Sequence, residues 1–207
     1  MKKGVLAVMS GFSGAGKGTI VKELLKKNDY QLSISCTTRK PREGEQNGRE
    51  YFFVSREEFE KMIANGDMIE YAEYAGNYYG TPRKAVSDWL AEGKDVILEI
   101  EVQGGMQVRK LFPDACLMFI VPPSADELYN RLKNRGTETE DQIKLRLEQT
   151  SREIGYIKDY DYLVVNDELD KAVEQVESII NDQKCKPALC EETVDSLKND
   201  LSKIIGA

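Results

Sequence analysis

Three short apolar runs stand out against a mostly polar chain: residues 5–9 (VLAVM), 96–100 (VILEI) and 117–121 (LMFIV). A fourth, weaker one covers residues 163–165. Continuous runs of this length are what strands buried on both faces of a parallel sheet look like. Between them the period changes. Ile20, Val21, Leu24 and Leu25 recur at helical spacing directly after the first run. Ser55 with Glu58 forms a capping box for a helix ending at Gly66, Ser124 with Glu127 opens another helix, and Thr139 with Gln142 opens the next. Alternating strands and helices predict an α/β fold with a parallel sheet core and helices on both faces.

Residues 33–94 break this rhythm. They are rich in Tyr, Arg, Thr and Gly, with strand-like pieces such as residues 51–54. Thr81-Pro82 predicts a helix start with Pro82 at the first helical position. The segment reads as a small α+β subdomain inserted into a core formed by residues 1–32 and 95–183. A polar stretch, NRGTETE, joins two helices within residues 126–155 and gives them the character of a helical lid. Beyond residue 184, Pro187 interrupts the chain. Val194, Leu197, Leu201, Ile204 and Ile205 then form an apolar stripe, read as a C-terminal helix docked on the domain's own surface, with a dimer contact as the alternative.

Composition narrows the functional classes. The 207 residues carry a formal charge of −7, so no broad basic face is available to coat nucleic acid, while a few local arginines suffice for a small phosphorylated ligand. The four cysteines, Cys36, Cys116, Cys185 and Cys190, have no histidine beside them to complete a mixed zinc site. They read as free thiols of a reducing compartment, and the chain as cytoplasmic. The two lysines and short apolar run at the start fit a first buried strand better than a signal peptide, and no segment approaches membrane-spanning length.

The chemistry begins at residue 11. GFSGAGK places Gly11 and Gly16 five apart and follows them with Lys17, between a predicted strand and a predicted helix. Glycines allow a tight turn with inward-pointing N–H groups, and a helix N-terminus adds its dipole, so this loop is built to wrap a phosphate. Lys17 would neutralise the β- and γ-phosphates of a nucleoside triphosphate. The expected contact set is Gly11, Ser13, Gly14, Ala15, Gly16, Lys17, Gly18 and Thr19. The residue after the lysine is Gly18 rather than a hydroxyl residue, so Mg²⁺ is expected to be held mainly by nucleotide phosphates and water, with no metal-ligating side chains, and Thr19 to touch phosphate.

Three further stretches, TTRKPREGEQNGREYFFV, IEYAEYAGNYYGT and RLKNRGTETE, resemble the signature segments of guanylate kinases, and the resemblance runs from about residue 5 to residue 180. It implies Mg²⁺-dependent transfer of the ATP γ-phosphoryl group to GMP, and also to dGMP. It implies that Arg39, Arg42, Tyr51 and Tyr79 hold the GMP phosphate, that Glu70 faces the base, and that Ser35 and Thr81 bond its O6 edge. Arg131, Arg135 and Arg146 match lid and helix arginines, and Asn166 a contact near the ATP base. Lys17, Arg42, Arg135 and Arg146 become the catalytic cations. Glu101 stands where the family usually has aspartate, so it touches either the base amine or a magnesium-bound water. By alternation, Glu99 and Glu101 are expected on one strand face. Three rivals remain: a related kinase with another acceptor, a phosphopeptide-binding module, and a P-loop GTPase. The rivals lack, respectively, the Glu70 set, an intact glycine loop, and agreement with the absence here of an N-K-x-D pattern. The partners are small nucleotides, with no nucleic acid or membrane, and the oligomeric state stays open.

Overall fold

The structure is a computed structural model, and it describes residues 3–27, 29–74, 76–134 and 139–206. In chain order the elements are β1 (Leu6–Gly11), α1 (Lys17–Lys27), β2 (Gln31–Leu32), β3 (Cys36–Thr37), β4 (Phe52–Phe53), α2 (Arg56–Ala64), β5 (Met68–Tyr74) and β6 (Asn77–Pro82). They continue with α3 (Arg83–Ala91), β7 (Val96–Glu99), α4 (Val102–Leu111), β8 (Cys116–Val121), α5 (Ala125–Asn134), α6 (Glu140–Glu153), β9 (Tyr162–Val165), α7 (Leu169–Gln183) and α8 (Glu191–Ile205).

The apolar runs become a five-stranded parallel sheet in the order β2-β7-β1-β8-β9. Side chains of a strand alternate between faces, and the core divides accordingly. Val5, Ala7 and Met9 pack with α1, α5 and α7 through Ile20, Leu24, Leu128, Val173 and Val176, whereas Leu6 and Val8 pack with α3 and α4 through Val86 and Val108. This explains why β1 has no polar face: all six of its residues are buried. Strand β2, too short to show a period, escaped the sequence reading.

The interrupted rhythm of residues 33–94 becomes a second, four-stranded sheet in the order β4-β3-β6-β5, with α2 against it. Helix α2 begins at the anticipated box. Ser55 Oγ accepts from the Glu58 N–H, and Glu58 returns a bond to the Ser55 N–H at 2.8 Å. Thr139 and Gln142 make the same reciprocal pair at the start of α6. The Thr81-Pro82 expectation is off by one residue. Both belong to β6, Pro82 is the N-cap with extended backbone, and α3 starts at Arg83. Thr81 does not cap, because its hydroxyl is committed to Glu70.

The C-terminal expectation fails more broadly. Helix α8 is not docked on the domain. Val194, Leu197, Leu201, Ile204 and Ile205 are 53–79% exposed, and the segment is tied down instead by Leu189 against the core and by Lys3–Glu191 and Lys184–Asp95 ion pairs. Cys36 and Cys116 are buried, while Cys185 is exposed. Among the described residues no helix is long and apolar enough to cross a membrane.

Candidate active site

The strand β1 delivers the chain into the glycine loop at the carboxyl edge of the parallel sheet, where open α/β sheets bind ligands. The loop's shape demands its glycines. Gly11 has φ +145°, and a Cβ there would lie 2.1 Å from the Ile120 carbonyl oxygen. Gly16 has φ +91°, and its Cβ would lie 2.3 Å from the Asn166 amide nitrogen. Gly14 adopts φ +93°. The Ala15 N–H closes a turn on the Phe12 carbonyl at 3.0 Å, and Thr19 already bonds back to Gly16, so α1 starts directly under the loop. Lys17 curls over it, its ammonium donating to the carbonyls of Gly11 at 2.6 Å and Phe12 at 3.3 Å.

Distant residues brace this loop. Asn166, just past β9 and buried, donates from its side chain to the Ala15 carbonyl at 2.8 Å. Arg131 on α5 donates to the Asn166 carbonyl at 2.9 Å and to Ala15 at 3.5 Å, and Glu127 pairs with its Nε at 2.7 Å. Arg146 on α6 donates to the Ser13 hydroxyl. Arg131, Arg146 and Asn166, scattered over 36 residues in sequence, thus converge on one loop. Arg135 lies outside the described residues.

The carboxylates after β7 divide. Glu99 is its last residue, while Glu101 is not on the strand. It is the exposed N-cap residue of α4, so the expectation of one shared strand face does not hold. The strand ends early because the chain must turn into α4. Glu99 keeps part of its side chain in solvent while its carboxylate lies close to the start of α1, 3.4 Å from where a Cβ on Gly18 would stand. Surrounding protein raises its pKa, an effect that Lys17 opposes and Glu101 reinforces. Among the described residues no group of three or more acidic, cysteine or histidine side chains is gathered for a metal. Oxygen donors of this sort suit a hard cation that keeps most of its water.

On the insert, Glu70 is 5% exposed. One carboxylate oxygen accepts from the Thr81 hydroxyl at 2.7 Å, and the other lies against Gly104 of α4. Burial pushes its pKa up to about 7, with the Thr81 bonds pulling it down and the Glu101 charge adding to the rise. Arg39 is held by Glu45 through two bonds of 2.9 Å and sits 5.4 Å from the centre of the Tyr51 ring, which meets Tyr79 edge-on at 5.9 Å. Glu45 also accepts from the Arg42 N–H at 2.7 Å, so it organises the whole turn. The arginine partner holds the Glu45 carboxyl below its usual range. The Arg42 side chain is exposed, and Ser35 is half-buried before β3, where its carbonyl pairs with the Phe52 N–H.

Sequence reasoning missed Glu45, Gly104 and Glu153. Glu45 had a signal, an acid six residues from Arg39 in a segment with no helical period. Gly104 had one too, a glycine inside a helical pattern, which marks close approach. Glu153 had none. It is a buried carboxylate at the end of α6, accepts from Gln149 at 2.8 Å, and its pKa is raised by burial.

A phosphate-wrapping loop with its lysine, braced by arginines from the following helices and faced by an insert carrying arginines, tyrosines and a buried carboxylate, defines a P-loop kinase of small phosphorylated acceptors. A family model described as Guanylate kinase matches residues 3–183. Guanylate kinase of Clostridium tetani is 49% identical over 97% of this chain and 93% of its own length. Guanylate kinase of Bacillus anthracis is 53% identical over 89% of this chain and 91% of its own. The crystal structure of guanylate kinase from Anaplasma phagocytophilum superposes with a TM-score of 0.73 at 32% identity, covering 90% of this chain and 89% of that one. The chain belongs to the guanylate kinase family, nucleoside monophosphate kinases that phosphorylate GMP from ATP.

Proposed function

We propose that this chain binds ATP on the loop formed by Gly11, Ser13, Gly14, Ala15, Gly16, Lys17, Gly18 and Thr19, and GMP on the insert, and joins them for an in-line transfer. The observation that carries the acceptor assignment is the buried Glu70 carboxylate, already satisfied on one oxygen by Thr81. Guanine presents two donors, N1–H and the N2 amine, which one ionised carboxylate can accept. Adenine presents an acceptor at N1 and would meet Glu70 with repulsion. Ser35 serves the O6 edge, Thr81 joins it when its hydroxyl proton turns from Glu70 to O6, and Glu101 lies within electrostatic reach of Glu70. Arg39, Arg42, Tyr51 and Tyr79 take the GMP phosphate, Arg39 being prealigned by Glu45 as a planar fork suited to two phosphate oxygens. The contacts proposed involve base and phosphate alone, so dGMP serves as well.

No side-chain nucleophile is needed. A GMP phosphate oxygen attacks the γ-phosphorus of ATP, the bond to the β-bridging oxygen breaks, and ADP and GDP leave. The protein's task is to bring two anions together and offset their repulsion through Lys17, Arg42, Arg135 and Arg146. Mg²⁺ brought with ATP would supply charge neutralisation on the phosphates, and among the chain's own residues Glu99, beside Gly18, would be placed to hold one of its waters. Asn166 and Arg131 keep the loop in shape and line the ATP side. The site's working place is a reducing, cytoplasmic milieu.

Two measurements test this. Coupled ADP release with ATP, Mg²⁺ and each of GMP, AMP, CMP and UMP is expected to show fast turnover with GMP alone. Turnover chiefly with AMP would remove the guanine assignment, and none with any of them would favour a binding module. The second concerns motion. The insert, residues 33–94, and the lid, residues 126–155, are expected to close over the core about hinges near Ser33, Lys94 and Pro122/Pro123, excluding water from the γ-phosphate. Small-angle scattering should register compaction when GMP and a non-hydrolysable ATP analogue are added together. An unchanged radius of gyration would refute closure.

A further inference from the structure

Helix α4 packs on the core sheet, and one of its faces also receives the insert. The contact is made at two positions three residues apart, which share a helix face. At the first, Gly104 lacks a side chain, and the Glu70 carboxylate fills the space: a Cβ there would lie 2.5 Å from Oε2 and 3.0 Å from Cδ. At the second, the Gln107 side-chain amide pairs with the backbone of Tyr71. Its Nε2 donates to the Tyr71 carbonyl at 2.8 Å, and its Oε1 accepts from the Tyr71 N–H at 3.1 Å. Strand β5 is the edge of the insert's sheet, so Tyr71 turns this pair of groups away from β6 and towards α4. The amide of Gln107 thus takes the place a further strand would have taken.

We propose that Gln107 is a positioning residue for acceptor-base selection: by clamping the backbone of Tyr71 to α4 it fixes the neighbouring Glu70 carboxylate over Gly104, and with it the plane in which the base is read. The inference rests on the reading of Glu70 as the guanine-facing carboxylate. Water would satisfy the edge groups of Tyr71 about as well as the amide does, so what the side chain adds is location rather than hydrogen-bond count. Location matters here, because displacement of a reading group by about 1 Å is enough to lose roughly a hundred-fold in efficiency. The clamp also changes how closure is organised. The insert is joined to the core not only through the chain near Ser33 and Lys94 but through β5 on α4. Its inner edge, bearing Glu70, therefore stays with the core, while the arginine-bearing turn around Glu45, on the far side of the insert's sheet, makes the larger excursion.

The test uses the full chain with Gln107→Met, which keeps side-chain length and helix-forming character but removes both amide atoms, alongside Glu70→Gln and the double variant. Steady-state constants are measured for GMP, for ATP, and for IMP, which lacks the N2 amine. Thermal midpoints are recorded beside them. Gln107→Met is expected to raise KM for GMP about ten-fold and narrow the preference for GMP over IMP, with KM for ATP and the thermal midpoint little changed. In the Glu70→Gln background the same substitution is expected to add less than about two-fold, because both act through one contact. A lowered midpoint with KM and preference for GMP unaltered would make the clamp merely structural and overturn the proposal. So would an equal effect in both backgrounds. A Glu70→Gln variant that retains the full preference for GMP would remove the underlying reading of Glu70 and the proposal with it.

Discussion

A Lys17→Met variant is expected to phosphorylate GMP at least about a thousand-fold more slowly than the wild-type chain at saturating substrates, with KM for GMP changed less than about three-fold. The reasoning separates the lysine's charge from the loop's shape. The shape is imposed by Gly11, Gly14 and Gly16: all three adopt positive φ, which L side chains rarely do, and at Gly11 a Cβ would also collide with the Ile120 backbone. Methionine preserves the length of the side chain, so the loop keeps its form and loses one cation. That cation lies folded on the Gly11 and Phe12 carbonyls, a short reach from the N-terminus of α1 where phosphate binds. Charge on the transferring phosphoryl group develops in the transition state, and a preorganised cation acts there more than on bound substrate. The acceptor site is on another sheet, hence the small change in KM for GMP. Rapid-quench single-turnover measurement isolates the chemical step. A loss under about ten-fold would place the burden on Arg146, Arg131 and the backbone N–H groups instead.

The sequence carried the elements that repeat a physical rule and missed those that depend on three-dimensional neighbours. The parallel sheet was legible because strands buried on both faces cannot hide their composition, and the two capping boxes were legible because a box is local. The glycine loop was legible for the same reason. Bracing of that loop by Arg131 and Asn166 is a finding of the structure: the resemblance places Arg131 in the lid and Asn166 near the ATP base, and nothing in the sequence links residue 166 to residue 15. Period-2 alternation does not reach Glu101, because β7 ends at Glu99 and Glu101 is already the N-cap residue of α4. The apolar stripe of α8 predicts a docked face because amphipathicity usually means burial, yet the stripe is exposed. Periodicity reports that a face is apolar, not what covers it.

Glu70→Gln is expected to reduce kcat/KM for GMP by about a hundred-fold or more and to leave turnover with AMP no worse, because a carboxylate that accepts two donors is replaced by an amide that must present a donor of its own. The pH dependence is the sharper test. With its pKa pushed up to about 7, Glu70 is largely protonated at pH 6, and a protonated carboxyl cannot accept both guanine donors. KM for GMP should fall by close to ten-fold between pH 6 and pH 8, beyond any change that the phosphate of GMP, itself titrating near pH ~6, produces in the Glu70→Gln variant. Stability runs the other way. The native protein holds the Glu70 proton more tightly than the unfolded chain, whose carboxyl has the ordinary value of 4.5, so this contribution is complete below pH 4.5 and is lost as pH rises through about 7. The shift corresponds to about 3 kcal/mol. Glutamine, always neutral and still able to accept from Thr81, does not bear that loss. Urea unfolding should therefore find Glu70→Gln close to wild type near pH 5 and more stable than wild type at pH 8. A variant that is both more stable and less active at pH 8 would mean that the buried charge is kept for reading the acceptor and held against the protein's own stability. Equal stability at both pH values would mean that Glu70 is not the group that titrates.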